Sequence, residues 1–215
     1  MKSLLISGIA GKVGSFVNKY APEYGFLVAC GVDKNNFIEA NCPVYKNFDE
    51  VKENIDVIID FSSSSLTEKA VEFALANKCA FVCGTTALSE KTLEKINRLT
   101  LIVPTLICSN FSEGLPVFLN AAKYLKNNLN GFDTEICEIH NAKKKDAPSG
   151  TAIALSKETD TQKIHSIRGG DIAGVHTIYY LGNGEEITIS HRVYDKSVFA
   201  RGALKAASKL LNTKK

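Results

Sequence analysis

Residues 140 to 152 read His-Asn-Ala-Lys-Lys-Lys-Asp-Ala-Pro-Ser-Gly-Thr-Ala, and residue types in that order can bind and protonate an anion. His140 and Lys144 lie four residues apart and can both donate protons to a bound group. Ser149, Gly150 and Thr151 then open a helical stretch whose first amides have no intrahelical acceptor, an arrangement that favours a carboxylate or phosphate. A serine helix cap beside a solvated lysine run would use the same residues, and both readings are open on residue types alone.

A second stretch with chemistry in it is Gly8-Ile9-Ala10-Gly11-Lys12-Val13-Gly14, which follows an apolar run and opens a helical pattern. Glycines there allow a tight turn and close backbone approach, and the start of the helix attracts a pyrophosphate. The spacing is GxxGxxG, one variant away from the GxGxxG of dinucleotide-binding proteins. Asp33 ends the next apolar run, nineteen positions after Gly14, where a carboxylate can accept bonds from a ribose diol. Lys34 beside it can hold a 2′-phosphate, so NADH and NADPH are both open. Gly84-Thr85-Thr86 and Ser109-Asn110-Phe111-Ser112 end further apolar runs, where an open α/β sheet presents ligand loops, although each alone reads as an ordinary turn.

The remaining candidates point to structure. His165, His176 and His191 fall in strand-like stretches and are read as hydrogen-bonded structural histidines, and no HxxxH or HxH pair calls for a metal. The six cysteines, Cys30, Cys42, Cys79, Cys83, Cys108 and Cys137, form no CxxC pair or zinc spacing and are read as reduced core residues of a cytoplasmic protein.

These residues must be carried by elements that the hydrophobic pattern reveals. Apolar runs at 3–8, 26–33, 55–61, 79–86 and 101–110 suit strands buried on both faces, and the stretches between them have helical spacing, as in Leu66, Ala70, Phe73 and Ala74. Repeated strand-helix-strand order predicts a parallel, doubly wound, Rossmann-like sheet. From about residue 111 the pattern changes: a helix at 114–127 leads into 132–140, where Phe132, Thr134 and Ile136 alternate. Strands near 176–181 and 185–193 flank Gly182-Asn183-Gly184, a hairpin turn, so the second domain is expected to be α+β with a mixed or antiparallel sheet. A last helix at 199–212 presents an apolar stripe that can return to the first domain.

The composition, 45% hydrophobic and 23% charged, is that of a folded globular chain. A net charge of +3 is too small to suggest a nucleic-acid surface, and the N-terminal apolar run breaks at Gly8, too short for a signal peptide or membrane span. No nucleic-acid or membrane partner is expected.

GIAGKVG near the N-terminus, GTT at 84–86, SNFS at 109–112 and above all EIHNAKKKDAPSGTA at 138–152 resemble the 4-hydroxy-tetrahydrodipicolinate reductase (dihydrodipicolinate reductase) family. The likeness continues through the Arg168 to His176 segment and the Phe199-Ala-Arg-Gly-Ala-Leu ending. It implies a cytoplasmic, homotetrameric enzyme of diaminopimelate and lysine biosynthesis that reduces a cyclic dicarboxylate with NADH or NADPH. It further implies a dinucleotide-binding domain of 1–110 and 197–215, hinged to a substrate-binding and tetramerisation domain of 111–196. By position, His140 matches the family's proton-donating histidine and Lys144 its catalytic lysine, while Ser149, Gly150 and Thr151 match its grip on a substrate carboxylate. Gly8, Ile9, Ala10, Gly11, Lys12 and Val13 match the phosphate loop, and Asp33, with Lys34 beside it, the ribose contact. Gly84, Thr85 and Thr86 match the nicotinamide-side loop, and Cys108, Ser109, Asn110 and Phe111 the segment near the nicotinamide and hinge. Two positions depart: Asn141 stands for a second histidine, where it can still donate a hydrogen bond to substrate, and Lys196 stands for a frequent arginine. The competing readings are a Rossmann dehydrogenase of an amino or keto acid, such as an aspartate dehydrogenase, and a dinucleotide-sensing protein without turnover.

Overall fold

A computed structural model of the chain describes residues 1–35 and 39–212. The chain runs β1 (Lys2–Ser7), α1 (Lys12–Tyr20), β2 (Phe26–Val32), β3 (Val44–Tyr45), β4 (Val57–Asp60), α2 (Ser64–Asn77), β5 (Ala80–Cys83), α3 (Glu90–Leu99) and β6 (Thr105–Ile107). It continues through α4 (Gly114–Asn128), β7 (Asp133–His140), α5 (Gly150–Thr159), β8 (Ile164–Arg168), β9 (Gly174–Leu181), β10 (Glu186–Val193) and α6 (Ser197–Asn212). It divides into two compact units, Met1–Phe111 with the segment from Ser197 onward, and Ser112–Lys196. The first boundary falls after Phe111, whose ring is buried in the first unit's core.

In the first unit six parallel strands lie in the order β3-β2-β1-β4-β5-β6. Both faces are covered, which is why these runs are nearly all apolar. Leu4, Ile6, Val57, Ile59 and Val82 pack with Val17 of α1 and Ala200, Ala203 and Leu204 of α6. The alternate residues Leu5, Ile58, Phe81 and Cys83 pack with Leu66 and Ala70 of α2 and Ile96 and Leu99 of α3. Because β1 has β2 on one side and β4 on the other, the loops after β1 and β4 diverge at the carboxyl edge of the sheet, the position where such sheets take ligands.

Two details depart from the hydrophobic pattern. Of the apolar run 101–110 only Thr105–Ile107 is strand; Ile102 and Val103 donate back to the Leu99 carbonyl and prolong the turn that ends α3, and Pro104 has no N–H to give a ladder. The edge strand β3 has two residues, too few to show a period, and pairs with Gly31 and Val32.

The second unit has a mixed sheet in the order β10-β9-β7-β8, parallel between β7 and β8 and antiparallel elsewhere. One face carries α4 and α5 over a core of Leu115, Phe118, Ala122, Ile136, Ala152, Leu155, Ile178 and Tyr180. The hydroxyl of fully buried Tyr180 donates to the Ala122 carbonyl at 2.6 Å, so burial leaves no orphan there. Among the described residues no helix is long and apolar enough to cross a membrane.

Of the cysteines expected in the core, Cys30, Cys79 and Cys83 are buried and Cys42 and Cys108 pack partly buried against it, whereas Cys137 is partly buried and outside the core clusters. All six are free thiols.

Gly202 is where α6 meets the chain just before the unit boundary. A methyl group there would lie 1.7 Å from the Phe111 carbonyl oxygen, which backbone cannot vacate cheaply. Gly202→Ala is expected to lower the unfolding free energy by at least about 2 kcal/mol in urea titrations; an unchanged midpoint would refute this packing.

Candidate active site

The first unit contributes its strand-end loops. Gly8 has φ +79°, and a methyl group on it would lie 2.4 Å from the Phe61 carbonyl oxygen; one on Gly14 would lie 2.0 Å from the Gly8 oxygen. Only glycine fits a turn so tightly wound between β1 and α1. Gly11 caps α1 with no side-chain bond, and the first turn has no acid, so no capping side chain occupies the first amides of this helix. Ile9 is in the core and Val13 packs against it, while Lys12 is exposed.

Two carboxylates hold these loops. Asp33 accepts from Ala10 N–H at 3.0 Å and Asn35 N–H at 2.9 Å, which binds the end of β2 to the glycine loop. Lys34 follows it, and the Lys34 carbonyl accepts from Lys46 Nζ at 2.8 Å, so a second ammonium stands near this corner. Asp60, wholly buried at the end of β4, accepts from Thr67 Oγ1 at 2.6 Å, Thr85 Oγ1 at 2.8 Å and the Ser62 hydroxyl. Thr85 Oγ1 in turn accepts from Ser62 N–H at 2.8 Å, which fixes the Gly84-Thr85-Thr86 loop against the loop after β4. Thr86 and Ser109 are exposed and Asn110 half-buried. Cys108 Sγ donates to the Asn110 carbonyl at 3.0 Å, and the Phe111 ring meets Phe61 edge-on at 5.9 Å.

The second unit brings its candidates to one end of the sheet. Strand alternation puts Thr134, Ile136, Glu138 and His140 on the face of β7 that is buried. Glu138 is fully buried. Its Oε1 accepts from Arg168 Nη2 at 2.7 Å and Ser149 N–H at 3.3 Å, and its Oε2 from Arg168 Nη1 at 2.9 Å and from His140 Nδ1. Burial alone would raise this carboxyl, but donation from Arg168, Ser166 and His140 outweighs it and holds the group down at about 2.

His140 itself is pushed below the ordinary histidine value by burial, against the pull of Glu138. The ammonium charge of Lys144 acts on it in the same direction as burial, so the two expected catalytic groups sense each other. Lys144 is paired with Asp146 at 2.9 Å. Asn141 accepts the Lys143 N–H on its side-chain oxygen at 3.1 Å, an Asx turn that keeps its amide group for other partners.

Ser149 caps α5 by accepting from Ala152 N–H at 3.3 Å, and its hydroxyl also shares a hydrogen bond with His176 Nε2 at 3.0 Å. Ser149 is 1% exposed, and its hydroxyl is thereby committed within the protein; Gly150 and Thr151 follow as the first two residues of the helix. Burial drives His176 down to about 3, so the ring is neutral, and its Nδ1 has no hydrogen-bond partner among the described residues. His165 pairs with Glu135 at 2.8 Å, and His191 Nε2 lies 3.5 Å from Ser112 Oγ.

Residue spacing pointed to none of Glu138, Arg168 and Asp60. The available signal was a period: Glu138 lies two before His140 and two after Ile136, so a carboxylate had to lie on the covered face and needed a cation.

Residues 2–111 match the model of the dihydrodipicolinate reductase N-terminus, and residues 114–215 that of the dihydrodipicolinate reductase C-terminus. The chain belongs to the dihydrodipicolinate reductase family. Among curated members, the 4-hydroxy-tetrahydrodipicolinate reductase of Caldanaerobacter subterraneus subsp. tengcongensis is 39% identical, covering 100% of this chain and 94% of the relative. That of Thermosipho africanus is 37% identical, covering 97% and 91%. In fold the chain is similar to the dipicolinate-bound dihydrodipicolinate reductase from Paenisporosarcina sp. TG-14, with TM-score 0.78 at 21% identity over 100% and 96% of the two chains. An aspartate dehydrogenase from Thermotoga maritima is also similar in fold, with TM-score 0.59 at 14% identity over 100% and 98%. The dihydrodipicolinate reductase family consists of oxidoreductases of lysine and diaminopimelate biosynthesis, and membership implies a nicotinamide nucleotide as reductant.

The depressed groups make stability depend on pH with a definite sign. Below 6.5 the unfolded chain takes up a proton on His176 that the folded chain refuses until about 3, and below 4.5 the same holds for Glu138 until about 2. Both contributions are present above those values and are lost as pH falls. Urea denaturation at pH 7.5, 6.5 and 5 should therefore show stability declining by ~1 kcal/mol or more between pH 6.5 and 5, and less steeply in His176→Asn. A flat profile in the parent protein would contradict the buried neutral histidine.

Proposed function

We propose that this chain reduces 4-hydroxy-tetrahydrodipicolinate to tetrahydrodipicolinate, with loss of the C4 hydroxyl as water, using NADH or NADPH. The observation that carries the reading is the convergence of His140, Lys144 and the capped start of α5 in one unit of a chain that belongs to this family. An aspartate dehydrogenase shares the fold at 14% identity, whereas the family models that match this chain are those of dihydrodipicolinate reductase.

The first unit is the nucleotide unit in this reading. The open start of α1 receives the pyrophosphate, Asp33 the adenosine ribose, and the Thr85 loop, anchored by Asp60, the nicotinamide side, with Ser109 and Asn110 nearby. The residues fit such a group, since the start of α1 carries neither an acid nor a capping side chain and its first amides can take a phosphate. Lys34 and Lys46 beside Asp33 offer charge to a 2′-phosphate without removing the ribose acceptor, so the site accepts either nucleotide. A bound reduced nicotinamide supplies the hydride.

The second unit binds substrate. One carboxylate lies against the amides of Gly150 and Thr151, held in place because Ser149 is fixed by its cap bond and by His176. The Asn141 amide donates to a polar group of the ring. Lys144 leaves Asp146 to neutralise negative charge beside the reacting ring, and His140 donates the one proton the reaction consumes, from Nε2 to the departing hydroxyl, which leaves as water. Reaction requires both units to hold their ligands at once. The second unit is also the tetramerisation unit in this reading, and the six free thiols fit the cytoplasm.

Oxidation of NADH and of NADPH, followed in parallel with substrate generated by a coupled synthase, tests the reading. Turnover with at least one is expected; binding of nucleotide without oxidation would make the chain a sensor and overturn it. Lys144→Ala should lower kcat by about 10²-fold or more while cofactor affinity, measured by fluorescence titration, stays within about twofold. Unchanged kcat would remove Lys144 from the chemistry.

A further inference from the structure

We infer that Glu138 is the positioning residue of the second-unit site: it holds His140 with its proton on Nδ1 and so presents Nε2 to the substrate. The inference rests on the reading of His140 as proton donor. Glu138 and His140 are two residues apart on β7, so their side chains leave the same face and meet. An ionised carboxylate can only accept hydrogen bonds, so Nδ1 of His140 must be the donor. When the imidazole is neutral, Nε2 is then the bare nitrogen; when it is cationic, the proton it can release is the one on Nε2. That nitrogen has no hydrogen-bond partner among the described residues. Gly174 keeps it open, because a methyl group at that position would lie 3.0 Å from it.

Glu138 is itself immobile. Both of its oxygens are held by Arg168, whose Nη1 also donates to the Ile167 carbonyl at 2.8 Å and whose Nη2 donates to the Asp146 carbonyl at 2.6 Å. A further donor, Ser149 N–H, belongs to the cap of α5. One carboxylate thus sets the orientation of the imidazole and the place of the anion-binding helix start together. Glu138 is fully buried and has no surface for substrate, so it acts through its neighbours.

Charge adds to orientation. The charged or titratable groups acting on His140 are Glu138 on its own strand, Lys144 in the following loop, Arg168 on β8 and His176 on β9, whose ring lies edge-on at 5.0 Å. Glu138 is the one among them that favours the imidazolium, while Lys144, Arg168 and burial oppose it. Replacing the carboxylate with an amide leaves those opposing influences uncompensated, so His140 loses its proton at lower pH.

Glu138→Gln keeps the size and removes the charge. The alkaline limb of kcat against pH, where His140 must stay protonated, should move to lower pH by about one unit or more, with kcat at pH 7 down at least about tenfold and cofactor KM little changed. Glu138→Asp, which keeps the charge, should bring the limb back toward its original position. Nitrogen-15 NMR of the His140 ring in the parent protein gives a readout that needs no turnover: the neutral ring should carry its proton on Nδ1, and in Glu138→Gln the two tautomers should mix. A neutral His140 protonated on Nε2 in the parent protein overturns the inference, as does an alkaline limb that stays in place in Glu138→Gln. If Glu138→Gln does not fold, the parent spectrum and the Glu138→Asp profile decide. If the parent protein does not turn over substrate, the proposed activity falls while the spectrum still decides the role of Glu138.

Discussion

The Glu138 carboxylate is the constraint on which the second unit depends. It is excluded from water and accepts from a guanidinium on β8, an imidazole on its own strand and the backbone at the start of α5. Removing water from a charge is expensive, and the arrangement is stable because donors meet both oxygens. Breaking a buried pair of this kind by deleting one partner costs about 3–5 kcal/mol, so the network is committed to staying whole. Three elements meet at one ionised group, and a chemically useful geometry results: imidazole, amine and helix amides share an end of the sheet.

The first unit solves a similar problem with Asp33 and Asp60. Each lies at or just past the carboxyl end of a parallel strand, and each holds a loop that would otherwise move freely. Asp60 is anchored by three hydroxyls in a fully buried position, so the Thr85 loop is ordered before any ligand arrives. The glycine loop is ordered by backbone crowding and by the Asp33 bond to Ala10. Preorganised loops on a rigid sheet are what a binding site needs, since a ligand then need not supply the ordering entropy.

The mixed sheet of the second unit also places three histidines in contrasting roles. His140 keeps a ring nitrogen open, His176 is buried neutral and holds the cap serine, and His191 stacks on Phe118 at 5.7 Å. Desolvation lowers all three, but a neighbouring carboxylate opposes that effect most directly at His140. Distance to a buried anion, and not residue type, separates a group suited to proton transfer from one suited to structure.

Much was legible in the residues alone. Apolar periodicity located α1 to α4, α6 and the strands other than β3 and β8, because a face that must be buried repeats at the period of its element, and the start of α5 was read from its cap. The glycine loop, Asp33, His140, Lys144 and Ser149 stood out because turn geometry, capping and proton transfer each require particular residue types close together in sequence. Arg168 lies thirty positions from Glu138, and Asp60 lies twenty-five from Thr85, so no local pattern could join them. Their pairing follows from sheet register: β7 runs parallel to β8, and β4 to β5. Residue order by itself determined which side chains could do chemistry and on what elements they ride. Only the tertiary structure decided which charges are buried together, because desolvation and partner geometry exist only once strands distant in sequence lie side by side.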